Sequence, residues 1–235
     1  VQGIITRVCA ICSSSHTVAA LSALEQALEI EVSERVHHLR GLLLLGATIE
    51  SHALHVFALA LPDFLGFDSV ISMASKYPDQ VKFALKLKHL GNTIQTLIGG
   101  RPIHPINTLV GGFGKLPSHS EIESLRAELA DVMEPLLGAV NLVASIDIPD
   151  WAERDTLFVA LRPAGEGFGF RGNVICTSTG SEFPVEAYRD MVREFTVEHS
   201  TARHAAQLGR PEVDDHVEAA QRAGVVLDHQ GRARV

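Results

Sequence analysis

Two cysteines near the start of the chain, Cys9 and Cys12, have a spacing that suits metal binding or redox chemistry. Two thiols three residues apart can bind one metal ion together. A helix N-terminus or a nearby arginine such as Arg7 lowers a thiol pKa and so favours the thiolate that a soft metal needs. His16 lies one helical turn beyond Cys12, where it can hydrogen-bond a sulfur or act as a ligand. On spacing alone, the pair could form a metal site, a redox dithiol or two packed core cysteines.

The number of cysteines restricts these alternatives. Cys176 is the only other cysteine, so a zinc site of four cysteines is impossible within this sequence. A redox dithiol of the thioredoxin kind needs a strand before the motif and a βαβ context, whereas the surrounding pattern is helical. Three cysteines also do not form the even-numbered framework of a secreted, disulfide-stapled domain, which favours a reducing, cytoplasmic setting.

Charge and hydropathy argue against nucleic-acid binding and against a membrane span. The formal net charge is -8 over 235 residues, and we find no stripe of Lys and Arg of the kind that binds nucleic acid. The stretch 41–61 is apolar enough to raise the question of a membrane span. Because Glu50, His52 and His55 lie near its middle, where polar groups are costly in lipid, we expect a buried helix and no membrane span.

The elements that position the cysteines are predicted to be helices. Residues 16–28 have apolar positions at helical spacing, so the cysteine motif lies at or just before a helix N-terminus. Ser33 is a plausible N-cap for a long helix over 34–60, whose apolar positions on all sides indicate a central, buried helix. A further helix is predicted over 79–98, ended by two glycines.

The later part of the sequence changes character. Residues 98–118 are dense in Gly and Pro and predict irregular structure. Ser120 and Glu123 form a capping-box pattern that opens a helix to about residue 143, in which Pro135 is expected to cause a kink or interruption. Strands are predicted over 156–162 and 173–180.

A Gly-rich hairpin turn separates the two predicted strands, and helical spacing returns over 183–195. The expected fold is therefore mainly α, with long central buried helices and a small β insertion. We expect a helical core over 1–145, the β insertion over 146–182, and a helix with a polar C-terminal segment over 183–235.

Three ordered motifs resemble one protein family. The string Arg7-Val-Cys9-Ala-Ile-Cys12-Ser-Ser-Ser-His16 resembles the first cysteine motif of [NiFe]-hydrogenase large subunits, R-x-C-G-x-C-x-x-x-H. The element Ser51-His52-Ala-Leu-His55 resembles that family's SHxxH, and GGRPIHPINTLVGGF (99–113) resembles its second region. The segment 183–205 resembles the cytoplasmic, nucleotide- or deazaflavin-coupled branch, so that the resemblance covers nearly all of residues 4–206.

This resemblance implies roles for individual residues. Cys9 matches the terminal nickel ligand, Cys12 the thiolate that bridges nickel and iron, and His16 the histidine that supports the bridging sulfur. Arg7 would position the loop or contact the nearest cluster of a small subunit. Arg101 and His104 would line the metal pocket or a proton path, or alternatively form a structural crossing.

The resemblance further implies a catalytic large subunit that oxidises H2 reversibly at a Ni–Fe centre whose iron carries diatomic ligands. Electrons would pass to Fe–S clusters of a small subunit, then to diaphorase-type electron-carrier subunits, and maturation factors would insert the metals. The alternatives are a non-catalytic remnant, or a structural subunit of the related NADH:quinone reductase family. The retained Cys9 and Cys12 argue against the latter.

The sequence departs from the family pattern in two places. Ala10 stands where the family has glycine, which we regard as a tolerable variation. The family supplies two more nickel ligands from a C-terminal D-P-C-x-x-C motif, which is not found in these 235 residues. Cys176 is predicted to be a buried residue of a strand. We therefore expect a fragment that lacks both termini and holds two of the four thiolates. We also expect His52 and His55 to be core histidines or groups behind the cofactor.

Overall fold

Cys9 and Cys12 lie between two helices of the protein. The structure is a computed structural model that describes residues 2–148, 158–163, 165, 168–197 and 200–207. By chain contacts, the chain divides into two compact units, 1–152 and 153–235. The predicted boundaries at 145/146 and 182/183 stay a prediction. The helices of the first unit are α1 (Gln2–Ile5), α2 (Ser13–Ala27), α3 (Glu34–Leu54), α4 (Leu61–Phe64), α5 (Val70–Met73), α6 (Pro78–Gly99) and α7 (His119–Ala144).

The long helix predicted over 34–60 is present and contains one irregularity. A π-helical segment, His55–Ala60, joins α3 to α4 without a break. Ser33 occupies the N-cap position, but its side chain makes no capping hydrogen bond. The stripe that includes Leu45 is partly exposed, and the buried side of the helix carries Leu43 and Leu44 instead. Within the described residues the helix is therefore buried on one side.

Helices α3 and α6 form the centre of the first unit and approach closely at two glycines. A Cβ on Gly91 would lie 2.7 Å from the backbone nitrogen of Glu50 and 2.7 Å from the carbonyl oxygen of Gly46. A Cβ on Gly46 would lie 2.7 Å from the side chain of Ile94. Only glycine allows two helix backbones to come this near. The surrounding core comprises Ala53, Phe57, Leu61, Met73, Ala84, Leu87, Leu90, Ile94, Leu125 and Val132.

The C-terminus of α6 and the N-terminus of α7 can be compared with the capping residues predicted from the sequence. Helix α6 ends, as predicted, at the glycine pair, where Gly100 adopts φ 80° as the C-cap. The capping box of α7 is formed by Ser118 and Glu121, so the predicted pair Ser120 and Glu123 was wrong by two residues. Helix α7 continues across Pro135, and the expected interruption does not occur.

Between α6 and α7 the Gly- and Pro-rich segment contains only a minimal hairpin. Strands β1 (Thr108–Leu109) and β2 (Gly112–Phe113) pair antiparallel, and the rest of the segment is irregular as predicted. The apolar stretch Glu34–Phe64 is the one described helical run that could cross a membrane by length and composition. That criterion is weak, because a core helix also meets it, and this helix packs Leu43 and Phe57 inside the unit.

The two predicted strands form a sheet with a third strand that the sequence pattern did not reveal. Strands β3 (Val159–Arg162), β4 (Val174–Thr177) and β5 (Glu182–Pro184) form an antiparallel sheet in that order. The antiparallel pairing of β3 with β4 confirms the predicted hairpin. Cys176 lies in β4 as predicted, but it is half-buried rather than buried.

The helix predicted over 183–195 was wrong for most of its length. Only a 3₁₀ turn (Val185–Ala187) and the short helix α8 (Tyr188–Met191) are helical. Strand β6 (Val192–Val197) follows and pairs antiparallel with β7 (Ser200–Gln207). The sequence VREFTV is rich in β-branched and aromatic residues, so its strand propensity outweighed the helical spacing.

Candidate metal centre

The two cysteines lie together in the loop between α1 and α2. Cys12 occupies the N-cap position of α2, and its backbone N–H donates a hydrogen bond to Cys9 Sγ at 3.2 Å. The backbone N–H of His16 donates to the carbonyl oxygen of Cys12 at 3.1 Å, which forms the first helical turn. Both cysteines are half-buried and neither forms a disulfide. The prediction that the motif lies at a helix N-terminus is therefore confirmed.

A hydrogen bond links the two thiols. The Cys12 thiol donates to Cys9, and this bond together with the Cys12 backbone N–H lowers the pKa of Cys9 below its ordinary value. The same bond raises the pKa of Cys12, because its thiol is the donor, and burial adds to the effect. The hydrogen bonds that Cys9 receives therefore favour its thiolate form.

The thiol pair fits the role of two metal ligands. Two soft sulfur donors lie at a helix N-terminus, where N–H groups and the helix dipole stabilise negative charge. In the part of the chain that the structure describes, no group of three or more His, Cys, Asp or Glu could hold a metal ion. A four-thiolate site would therefore need ligands from beyond the described residues, as the cysteine count predicts.

His104 connects the Gly-rich loop to both sides of the cysteine motif. Its backbone N–H donates to Ser13 Oγ at 3.0 Å, and its Nδ1 donates to the carbonyl oxygen of Thr6 at 2.7 Å. Ser13 and Thr6, which flank Cys9 and Cys12, are both buried. His104 has φ 55°, which is uncommon for a residue other than glycine. The loop that the resemblance singled out thus contacts residues on both sides of the thiol pair.

The remaining predicted residues lie in different surroundings. Arg7 is exposed, and its guanidinium donates to the carbonyl oxygen of Gly3 in α1. His16 is half-buried in the first turn of α2. Arg101 is exposed, and the structure does not bring its side chain to the thiols through any described hydrogen bond or ion pair. The roles of these three residues remain predictions.

His52 and His55 do not lie in the core. Both are exposed, and His52 Nδ1 donates to the carbonyl oxygen of Thr48 in its own helix at 2.8 Å. The expectation of core histidines was therefore wrong for the described part of the chain. Instead, the neighbouring Glu50 is the buried titratable group of this segment, at 8% exposed.

Sequence reasoning missed a buried ion pair near the C-terminal end of α2. Arg40 donates two hydrogen bonds to the carboxylate of Glu25, at 2.7 and 2.6 Å, and the backbone N–H of Gly111 donates to the same carboxylate at 2.7 Å. The Arg40 guanidinium lowers the pKa of Glu25, since it stabilises the charged form. This pair joins α2, α3 and the β1–β2 hairpin. A charged residue within a predicted helix was the only available signal.

A second missed feature is a row of buried polar side chains that begins two residues after Cys12. Ser14 Oγ donates to Gln95 Oε1 at 3.1 Å, and Gln95 Nε2 donates to Glu50 Oε2 at 2.6 Å. The serine run after the motif and the isolated Gln and Glu in apolar helices were visible in the sequence. Their contact depends on how α2, α3 and α6 pack.

Comparison with known proteins identifies similar chains. Residues 1–89 match the family model described as nickel-dependent hydrogenase. The chain is 40% identical over 205 residues to the alpha chain of sulfhydrogenase 1 from Pyrococcus furiosus, covering 87% of this chain and 48% of that protein. It is 29% identical over 231 residues to a vhu-type F420-non-reducing hydrogenase chain of Methanocaldococcus jannaschii, covering 90% of this chain and 55% of that protein.

Solved structures support the predicted fold class. A crystal structure of an NAD⁺-reducing [NiFe]-hydrogenase in the H2-reduced state matches with a TM-score of 0.81 at 21% identity, over 90% of this chain and 52% of that one. A [NiFeSe]-hydrogenase structure from Dm. baculatum matches with a TM-score of 0.61 at 17% identity, over 89% of this chain and 50% of that one. The chain thus spans about half the length of the curated relatives it matches. These relatives belong to hydrogenases, which does not favour the alternative of a quinone-reductase component.

Proposed function

The chain belongs to the nickel-dependent hydrogenase family, and on this premise we propose that it forms part of the catalytic large subunit of a [NiFe]-hydrogenase. The reaction is the reversible oxidation of H2 to protons and electrons. The observation that carries the proposal is the Cys9–Cys12 pair at the N-terminus of α2, inside the region matched by the family model.

Within this proposal, each cysteine has a distinct task. Cys9 and Cys12 would hold the Ni–Fe centre, Cys9 as the terminal ligand of nickel and Cys12 as the thiolate shared with iron. When bound, the Ni–Fe centre supplies the redox chemistry that splits H2. The protein's contribution is to hold the two sulfurs at the helix N-terminus as thiolates. The hydrogen bond from the Cys12 N–H to Cys9 Sγ supports this arrangement. As a thiolate, Cys9 could also accept a proton.

The proposed partners follow from the same assignment. A small subunit with Fe–S clusters receives the electrons, diaphorase-type subunits pass them to a soluble carrier, and maturation factors insert the metals. The support is that the relatives named above are components of hydrogenases that have more than one chain. We place the protein in the cytoplasm, where the unpaired thiols stay reduced.

Replacement of the cysteines tests the proposal. The full-length subunit, expressed with maturation factors and its small subunit, should contain nickel and reduce a viologen dye with H2. Cys9→Ser and Cys12→Ser should each reduce nickel content and H2-dependent dye reduction by at least roughly 100-fold, since the loss of a ligand costs more than a change outside the ligand shell. Cys176→Ser is the matched control and should retain both properties.

The outcomes separate the candidate functions. Full nickel content in Cys9→Ser or Cys12→Ser would contradict the assignment of these residues as ligands. A wild-type complex without nickel and without H2 oxidation would favour a non-catalytic remnant.

A further inference from the structure

Three buried polar residues connect the first turn of α2 to the central helices. Ser14 is completely buried, Gln95 is 2% exposed and Glu50 is 8% exposed. Ser14 Oγ donates to Gln95 Oε1 at 3.1 Å, and Gln95 Nε2 donates to Glu50 Oε2 at 2.6 Å. The contacts join α2 to α6 and α6 to α3, across 81 and 45 residues of sequence.

The charge of Glu50 is balanced at the far end of this row. Lys88 Nζ donates to Glu50 Oε1 at 3.1 Å, and Lys88 itself is partly exposed. The amide of Asn92, in the orientation that satisfies its partners, donates to both oxygens of Glu50 at 2.9 Å and accepts from Lys88 at 2.9 Å. We call Ser14, Gln95, Glu50, Asn92 and Lys88 the buried network. Because each carboxylate oxygen has partners, the network fixes one arrangement of the three helices.

The glycine crossing of α3 and α6 determines where the network lies. Glu50 lies at the close approach, because a Cβ on Gly91 would be 2.7 Å from its backbone nitrogen, and Gln95 follows Ile94, whose side chain a Cβ on Gly46 would meet. The crossing therefore brings Glu50 and Gln95 to hydrogen-bonding distance. A longer separation of the helices would break the 2.6 Å bond between them.

We propose that the buried network, through Ser14, is a positioning device that holds the N-terminus of α2 and so fixes the place of the Cys12 thiolate relative to the rest of the metal site. Ser14 lies two residues after Cys12 in the first helical turn, so a displacement of its hydroxyl displaces the cysteine. Ser14, Gln95 and Glu50 are positioning residues that touch no reacting atom. The metal-site part of this inference rests on the proposed function.

Directional hydrogen bonds give the packing of α2 its specificity. Apolar side chains of similar volume would fill the same space at lower desolvation cost. They would allow α2 to slide, whereas a directional hydrogen bond allows one register. The backbone N–H of His104 donates to the hydroxyl of Ser13, the residue before Ser14. The first turn of α2 is therefore held by α6 through Ser14 and by the Gly-rich loop through Ser13.

Two substitutions and a matched control test the proposal in the full-length complex. Ser14→Ala and Gln95→Leu each break the link between α2 and α6 with little change in volume. Thr17→Val is the control, because Thr17 is equally buried in α2 but its hydroxyl bonds only within the helix, to the Ser13 carbonyl oxygen at 2.8 Å.

Hydrogen–deuterium exchange of the complex without its metals measures the positioning directly. We expect amides of residues 9–16 to exchange about tenfold faster in Ser14→Ala and Gln95→Leu, and at the wild-type rate in Thr17→Val, since a buried hydrogen bond between helices is lost only in the first two. The double variant should exchange no faster than the faster single variant, because both changes break the same link.

The metal-loaded complex provides the second measurement. The infrared bands of the diatomic ligands on iron should shift or broaden in Ser14→Ala and Gln95→Leu, with a lower nickel content, and should be unchanged in Thr17→Val. Wild-type exchange rates, or wild-type bands and nickel content, in both test variants would overturn the proposal. If the wild-type complex itself holds no nickel, the proposed function fails, and the exchange experiment still decides whether the network positions α2.

Discussion

At the scale of single residues, His104 shows how backbone conformation and side-chain bonding act together. Its left-handed φ of 55° turns the Gly-rich loop so that the backbone reaches Ser13 while the ring reaches Thr6. A conformation of this kind costs energy in a residue other than glycine and persists when the surrounding contacts compensate. His104 therefore joins the segments before and after the thiol pair through its two hydrogen bonds.

Replacement of His104 should loosen the metal site. His104→Ala removes the bond to the Thr6 carbonyl oxygen and keeps the backbone bond to Ser13. We expect nickel to leave the full-length complex roughly tenfold faster in the presence of a chelator, the cost usual for a group that orients a ligand segment. His119→Ala changes an exposed histidine at the start of α7 and should leave the release rate unchanged. Equal rates of nickel release from the two variants would contradict a role of His104 in holding the metal site.

The Glu25–Arg40 pair predicts a pH-dependent contribution to stability. Arg40 holds the pKa of the Glu25 carboxyl below its ordinary value of 4.5, so the pair stabilises the fold above that pH. The contribution is lost as the pH falls through the lowered pKa. Glu25→Gln leaves a buried arginine without its charge partner and should destabilise the protein by about 3–5 kcal/mol at neutral pH.

Denaturation of the purified protein over a series of pH values measures this effect. The difference between wild type and Glu25→Gln should shrink as the pH falls below the ordinary carboxyl pKa. The exposed Glu123 provides the control, and Glu123→Gln should change stability by less than about 0.5 kcal/mol. A difference for Glu25→Gln that does not change with pH would contradict the lowered pKa.

At the scale of elements, the crossing of α3 and α6 determines the geometry of the buried network. Gly46 and Gly91 allow contact between the two backbones, and the buried network depends on that contact. Helix propensity alone disfavours glycine inside a helix by about 1 kcal/mol relative to alanine. The close approach explains why these two positions carry glycine.

Gly→Ala usually stabilises a helix, but at the crossing of α3 and α6 we expect it to destabilise the protein. Gly91→Ala places a Cβ 2.7 Å from backbone atoms of α3, which cannot rotate away, so we expect a loss of about 1–3 kcal/mol in unfolding free energy. Gly41→Ala, in α3 with no atom within 4 Å of the new Cβ, should be stabilising by up to about 1 kcal/mol. Thermal or chemical denaturation compares the two, and a stabilising Gly91→Ala would contradict the packing.

At the scale of the whole molecule, the proposed function requires a metal site that is divided between these 235 residues and ligands beyond them. The sequence holds three cysteines, and only Cys9 and Cys12 lie together in the loop before α2. The curated relatives are about twice as long as the matched region. A four-thiolate site therefore requires cysteines that are not among these 235 residues.

Metal analysis of the isolated segment tests this division. The 235-residue chain, expressed with the maturation factors and purified alone, should contain far less than one nickel per molecule, because two thiolates leave the metal open to exchange. The full-length protein prepared in the same way should contain close to one. Stoichiometric nickel in the 235-residue chain would show that other groups of the segment complete the site.

The sequence by itself determined the features that depend on local spacing. Two thiols before a helix-forming run predict a thiol pair at a helix N-terminus, and the ordered motifs after it predicted the family. Glycine and proline positions predicted the end of α6 and the irregular loop, because backbone conformation there depends on residue type. Local signals failed where two patterns competed, as in 183–195, where strand propensity outweighed helical spacing.

Only the tertiary structure decided which distant groups support the thiol pair. Ser14, Gln95 and Glu50 belong to three helices, and nothing in their local sequence specifies the crossing that brings them together. The same is true of His104, which reaches Thr6 and Ser13 from the far end of α6. A cysteine motif is a property of neighbouring residues. The contacts that its neighbours make with distant residues are a property of packing, since buried polar groups bond to whatever the fold places beside them.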